Sequence, residues 1–157
     1  MLFINPVAAM VTLEDLRGDA NLTPKKFASI FRNFRFVERA EVQEFEVFLI
    51  SEAGDCDDYA ILASVVLGEK GYHPKLVTIR MPGATHVVCY IAEEGAYLDY
   101  NLRGGFRKME KCSADLSAIA DKVAKSFDAS WTTASEFTWD GGIRKIVTTV
   151  SKIKSSK

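Results

Sequence analysis

The alternation of apolar and polar positions divides the chain into a helical first half and a strand-rich second half. Thr23-Pro24 supplies a helix cap and a preset first turn, and Phe27, Ile30, Phe31 and Phe34 then recur at helical spacing, predicting an amphipathic helix. A second apolar stretch runs from Val42 to Ile50 and leads into Glu52-Ala53-Gly54. A third opens at Asp55-Cys56 and continues from Tyr59 through Leu67 to Lys70. It is too long for an ordinary strand, and Gly71 is positioned to end a helix. Apolar residues surround nearly its whole circumference, so the pattern predicts a buried helix, the spine of the fold.

After Pro74 the period drops to two. Leu76–Ile79, His86–Ile91 and Tyr97–Tyr100 are short and rich in strand formers, separated by Pro82-Gly83 and Glu93-Glu94-Gly95, which predicts an antiparallel meander. Ser113 is positioned to cap a further helix with Leu116, Ile119, Ala120, Val123 and Phe127 on its apolar face. Glu136–Trp139 and Ile143–Val147 flank Asp140-Gly141, a favoured hairpin turn, so two more strands are expected at the end. Helices first and a sheet after them argue an α+β fold, with the buried helix packed on an antiparallel sheet.

Composition narrows the possibilities. A chain of 157 residues, 48% apolar and 26% charged, holds one sizeable core, so a single domain over 1–157 is expected, with 152–157 as a frayed basic tail. A net charge of −1 gives no overall electrostatic footprint for nucleic acid, and no apolar run reaches the roughly 18 to 20 residues that cross a bilayer. Asn5 and Pro6 interrupt the apolar N-terminus and no positive segment precedes it, which argues against a complete signal peptide. The compartment stays open: cytoplasmic, or exported if a leader has been removed. Three widely spaced cysteines, Cys56, Cys89 and Cys112, write neither a disulfide framework nor a zinc site.

One of those cysteines is different from the others. Cys56 falls at a helix N-terminus, where free backbone N–H groups and the helix dipole favour a thiolate and can later donate to an oxyanion. The flanking Asp55, Asp57 and Asp58 suit the helix end but oppose a thiolate, so activation must come mainly from a base. Only two histidines are present. His73 precedes Pro74 in a loop, whereas His86 begins a strand with His86, Val88 and Tyr90 on one face and Val87, Cys89 and Ile91 on the other. Cys89 therefore reads as core and Cys112 as an ordinary thiol.

A base histidine needs an acceptor, and Asp99 lies on the next strand. A two-residue turn at Glu94-Gly95 would set Asp99 opposite Tyr90, roughly 13 Å along the strand from His86. A four-residue connection, Ile91 to Glu94, sets it directly across from His86. The assignment of Cys56, His86 and Asp99 as nucleophile, base and orienting group thus requires the longer loop or a bulge. Calcium held by Asp55, Asp57 and Asp58 is a weaker reading, because positions i, i+2 and i+3 of a helix start diverge and no closing glutamate follows. No metal and no cofactor are expected.

Gly54-Asp55-Cys56-Asp57-Asp58-Tyr59-Ala60, then Thr85-His86-Val87-Val88, then Leu98-Asp99-Tyr100-Asn101, resembles the transglutaminase-like superfamily, especially the bacterial transglutaminase-like cysteine proteinases. The resemblance covers roughly Val42 to Asn101 and implies a papain-like α+β fold with a Cys-His-Asp triad, falling here on Cys56, His86 and Asp99. Members often carry a tryptophan or glutamine upstream of the cysteine. The comparable stretch here reads Val42-Gln43-Glu44-Phe45, so the tryptophan is absent and Gln43 becomes the candidate amide donor to an oxyanion, beside the Cys56 N–H.

The function expected is a thiol hydrolase of the cysteine peptidase or amidase type acting on a peptide or protein substrate through an acyl-enzyme on Cys56. Acyl transfer to an amine, as in transglutaminases, and a non-catalytic binding domain that keeps the fold are the alternatives. Arg80, Tyr100, Arg103, Trp131 and Trp139 are candidate cleft-wall residues.

Overall fold

The computed structural model describes residues 10–152. Residues 1–9 and all but the first residue of the expected basic tail lie outside them. Threonine caps set the first two helices. Thr12 and Asp15 form a reciprocal capping box at α1 (Leu13–Gly18), and Thr23 caps α2 (Pro24–Ile30) with Pro24 in its first turn. The second helix stops before Phe31 and Phe34, but both side chains remain buried.

A two-residue strand, β1 (Arg35–Phe36), pairs in parallel with β2 (Ala53–Gly54). Between them α3 (Phe45–Ser51) ends at Glu52, whose left-handed φ of 50° turns the chain back toward β1. Helix α4 (Cys56–Glu69) follows at once. Its Tyr59–Ala63, Val66 and Leu67 are buried, as the all-round apolar pattern predicts.

The second half is one six-stranded antiparallel sheet, so the chain has the expected α+β class. Its strands are β3 (Pro74–Met81), β4 (Ala84–Ile91), β5 (Ala96–Leu98), β6 (Met109–Lys111), β7 (Thr133–Asp140) and β8 (Ile143–Ser151), in spatial order β6-β5-β4-β3-β7-β8. Helix α5 (Leu116–Ser126) crosses between β6 and β7. It is capped by Asp115, which accepts from the Ser117 N–H, and not by Ser113. The last hairpin turns one residue later than expected. Gly141 and Gly142, with φ of 54° and 85°, occupy the two positive-φ positions that a tight primed turn demands.

Period two sorts the core. Leu76, Val87, Cys89, Ile91, Leu98 and Phe137 face α4 and the N-terminal helices, whereas Val77, Ile79, Val88, Tyr90 and Tyr97 face α5 with Leu116, Ile119, Ala120 and Val123. On the first side an aromatic cluster joins the short helices to α4. Phe31 lies 4.8 Å from Phe27, 4.7 Å from Phe34, 5.5 Å from Phe48 and 5.1 Å from Tyr59, between ring centroids. Among the described residues no helix is long and apolar enough to cross a membrane.

Phe31 is the hub of that cluster and is wholly buried. Phe31→Ala is expected to cost about 3–5 kcal/mol of stability in urea titration, while the exposed Ile143→Ala costs well under 1 kcal/mol. Equal midpoint shifts would show that the aromatic cluster does not anchor the N-terminal helices.

Candidate active site

The segment from Gly54 to Asp58 is built almost entirely around the start of α4. Asp55 caps the helix, accepting from the N–H groups of Asp57 at 3.1 Å and Asp58 at 3.4 Å, and the Asp58 carboxylate accepts in return from the Asp55 N–H at 3.1 Å. The same two carboxylates capture the preceding loop. Asp55 accepts from the Arg39 N–H at 3.0 Å, and Asp58 accepts from the Gln43 N–H at 2.7 Å and side-chain amide at 2.8 Å. Gly54 is required by close approach. A Cβ there would stand 2.6 Å from Asp58 Oδ2 and 2.8 Å from both Gln43 Nε2 and Phe48 Cδ2.

This arrangement corrects the role expected of Gln43. Its amide nitrogen donates to Asp58 and to the Ala53 carbonyl at 3.0 Å, so both protons are committed within the loop, and Gln43 does not line the Cys56 cavity. The cap takes the N–H groups of Asp57 and Asp58 but not that of Cys56, which is the helix-end amide left for an oxyanion. Burial pushes the Asp55 carboxyl above its ordinary value, against the Arg39 N–H and with the help of the neighbouring Asp58 and Asp57 charges. The three aspartates do not converge on a common point. Asp55 and Asp58 turn onto backbone N–H groups and Asp57 pairs with Arg144 at 3.3 Å, and no metal-holding group of three acidic, His or Cys residues occurs among the described residues.

His86 and Asp99 are brought together, both almost wholly buried, with His86 Nε2 2.8 Å from Asp99 Oδ1. The connection from β4 to β5 has four residues, Ala92 to Gly95, one later than expected, closed by Gly95 at φ 55°. Cys89 pairs with Leu98, so the register carried on would set Asp99 opposite Val88 rather than His86. The two side chains share a face and meet on the diagonal, a span that an imidazole bridges. Asp99 also accepts from the Asn101 N–H at 2.9 Å, capping the short 3-10 turn that leads the chain off the sheet.

Because β5 stops at Leu98, β4 has no partner on that side at His86, and the gap opens onto a cavity of about 560 Å³. Cys56, Asp55, Asp57, Thr85, His86, Asn101, Phe127 and Arg144 line it, together with Phe36, Glu38 and Arg39 from the segment around β1 and Gly83 and Ala84 from the β3–β4 turn. The opening explains how Cys56 and His86 reach one cavity although the parity of β4 assigns His86 to the α5 face. Phe127, at the end of α5, packs edge-on against the imidazole at 4.9 Å. Burial disfavours the imidazolium, but the hydrogen bond to Asp99 and the influence of the Cys56 sulfur outweigh it and raise His86 from 6.5 to about 10.

The remaining candidates are elsewhere. All three cysteines are free, and burial pushes the thiols of Cys89 and Cys112 up. His73 is exposed and bonded to Glu93. Tyr100 and Arg103 brace the β1 segment through the Arg35 and Phe34 carbonyls, Trp131 donates to Asp121, and neither Arg80 nor Trp139 lines the cavity. Arg144, which the sequence did not single out, reaches the cavity from β8. It donates to Thr78 Oγ1 at 3.4 Å and lies over the Phe137 ring. Its only signal in the sequence was a cation two residues beyond a glycine turn. No protein-family model matches the chain, and no curated protein does.

The raised value of His86 fixes a sign. A basic group whose folded value lies above its unfolded one contributes stability that is whole below about pH 6.5 and is lost as pH rises through about 10. The stability difference between the wild type and His86→Gln, read from urea midpoints, is therefore expected to shrink from pH 6.5 to pH 10. A difference that is flat or grows over that window would contradict a protonated His86 in the folded chain.

Proposed function

We propose that the protein is a thiol hydrolase of the cysteine peptidase or amidase type, built in the manner of the transglutaminase-like cysteine proteinases. The single observation that carries this reading is the cavity shared by a helix-terminal cysteine and a buried histidine whose far nitrogen is held by a buried carboxylate. Gly54-Asp55-Cys56-Asp57-Asp58 supports it from the sequence side, together with Thr85-His86 and Leu98-Asp99 in the same order.

In the proposed reaction the resting pair is a Cys56 thiolate beside a His86 imidazolium. The sulfur attacks the carbonyl carbon of a peptide or amide, and the Cys56 N–H donates to the oxygen as it gains charge. Collapse of the tetrahedral species breaks the C–N bond, and the leaving nitrogen takes the proton from His86. The acyl group now masks the negative sulfur, so His86 loses one of the partners that held its proton and becomes a base. It accepts a proton from water as the water attacks the thioester. The acid then departs, and the thiolate-imidazolium pair is restored. Asp99 keeps the ring's other nitrogen as a donor throughout and fixes its plane.

Alkylation tests the pair directly. Iodoacetamide at pH 6 is expected to label Cys56 at least tenfold faster than Cys112, and His86→Ala is expected to abolish the difference. On a pooled fluorogenic peptide library, Cys56→Ala should remove turnover and His86→Ala should lower it by about 10³-fold or more. A Cys56 whose labelling follows pH as Cys112 does, unaffected by His86→Ala, would sink the proposal. Amide formation outpacing hydrolysis when a primary amine is added would replace hydrolysis with acyl transfer.

A further inference from the structure

The lining of the Cys56 cavity continues through Phe36 and Arg39 into a patch of cations and exposed aromatic rings that the proposed chemistry does not use. Two segments remote in sequence build it: Arg32-Asn33-Phe34-Arg35-Phe36-Val37-Glu38-Arg39 and Arg103-Gly104-Gly105-Phe106-Arg107-Lys108. They are fastened to each other. Arg103 Nε donates to the Phe34 carbonyl at 2.7 Å, its Nη1 donates to the Tyr100 carbonyl at 2.8 Å, and the Tyr100 hydroxyl donates to the Arg35 carbonyl at 2.6 Å. The Arg103 guanidinium also covers the Tyr100 ring, 3.9 Å from its centroid.

The two segments contain six cations and a single carboxylate, Glu38, in a chain whose net charge is −1. Arg32, Arg35 and Arg39 are exposed, and among the described residues none of them enters an ion pair. Arg107 stands 3.6 Å from Glu110, and Lys108 donates to the Arg103 carbonyl at 2.7 Å. Phe36 is 54% exposed and Phe106 is fully exposed. A solvated face accounts for cations, but it gives no reason for two bare phenyl rings among them.

We propose that this patch is an exosite for the polypeptide substrate, binding a segment rich in Asp and Glu with interspersed apolar residues. The inference rests on the hydrolase reading. Charge complementarity names the segment's chemistry, and Phe36 and Phe106 receive its apolar side chains. Continuity with the site names its owner, because Phe36 and Arg39 belong both to the patch and to the cavity lining, and Asn101, also in the lining, adjoins Tyr100. A chain lying across the patch therefore feeds its neighbouring residues to Cys56. Each exposed ion pair is weak, so the exosite acts by summing several and is sensitive to salt.

Binding is measured on the full chain carrying Cys56→Ser, with a fluorescein-labelled peptide of repeated Glu-Asp-Leu, its Lys-Lys-Leu counterpart, a single-stranded DNA 20-mer and phosphatidylglycerol vesicles. The acidic peptide should bind at least tenfold tighter than the basic one. That preference should vanish in Arg32→Glu/Arg35→Glu/Arg107→Glu and weaken in Phe106→Ala. Should the triple variant lose its circular dichroism, Arg32→Gln/Arg35→Gln carries the same comparison. In the wild type, appending the acidic repeat to the fluorogenic library should lower KM and leave kcat unchanged.

Equal binding of the two peptides, persistence of the preference in the charge variants, or tighter binding of DNA or vesicles would overturn the exosite. The two failures are distinct. Library turnover without acidic preference removes the exosite alone, whereas Arg-dependent peptide binding without any turnover removes the hydrolase and leaves the patch as an acidic-peptide-binding surface that is not an exosite.

Discussion

Two carboxylates buried side by side at the start of α4 hold the rest of the site in place. Asp55 and Asp58 are withdrawn from water, and a buried carboxylate is tolerated only where donors replace its hydration. The amides of Arg39, Gln43, Asp55, Asp57 and Asp58 and the Gln43 side chain provide those donors. The helix start, the 39–43 loop and the Gly54 strand therefore form one hydrogen-bonded body, with no side chain at residue 54 to wedge it apart. Cys56 is carried by this body, and its position is set in part by Gln43 and Asp58, which do not themselves line the cavity.

The other half of the site comes from an interruption in the sheet. If β5 continued past Leu98, backbone pairing would fill the space beside His86 and shut the cavity. Asp99 ends the strand by capping a 3-10 turn, and with its remaining capacity it holds the imidazole. One residue thus opens the sheet and orients the group exposed by the opening. Phe127, expected as the last member of the α5 apolar face, instead closes the space over the ring from the end of that helix.

Much of this was legible in the residues because it is local. Caps, periodicity and spacing revealed α2, the buried α4, the meander and the final hairpin, and they separated Cys56 from Cys89 and His86 from His73. What escaped depended on contacts distant in sequence. The pairing of β1 with β2 involves two residues on each side, too few for any period, and the start of α5 moved to Asp115 because a competing carboxylate lay two residues beyond Ser113. Gln43 was read as a free amide, since nothing in Val42-Gln43-Glu44-Phe45 reveals that Asp58 consumes it. The His86 to Asp99 spacing required a four-residue connection, but only the αL residue Gly95 decided which four, turning a direct pair into a diagonal one. Arg144 was invisible, because its partners Asp57 and Thr78 are brought to it by the order of strands and not by any motif.

That strand order also bears on how the molecule comes into being. The central strand β3 lies between β4, which follows it directly, and β7, which arrives only after β5, β6 and α5; Arg144 on β8 and its partner Thr78 are 66 residues apart. A chain emerging from the ribosome therefore delivers Cys56, His86 and Asp99 while β3 still has a bare edge, and the wall that Arg144 contributes is added last. The three residues are all present well before the cleft that would confine them is complete, so closure of the cleft waits on the C-terminal hairpin.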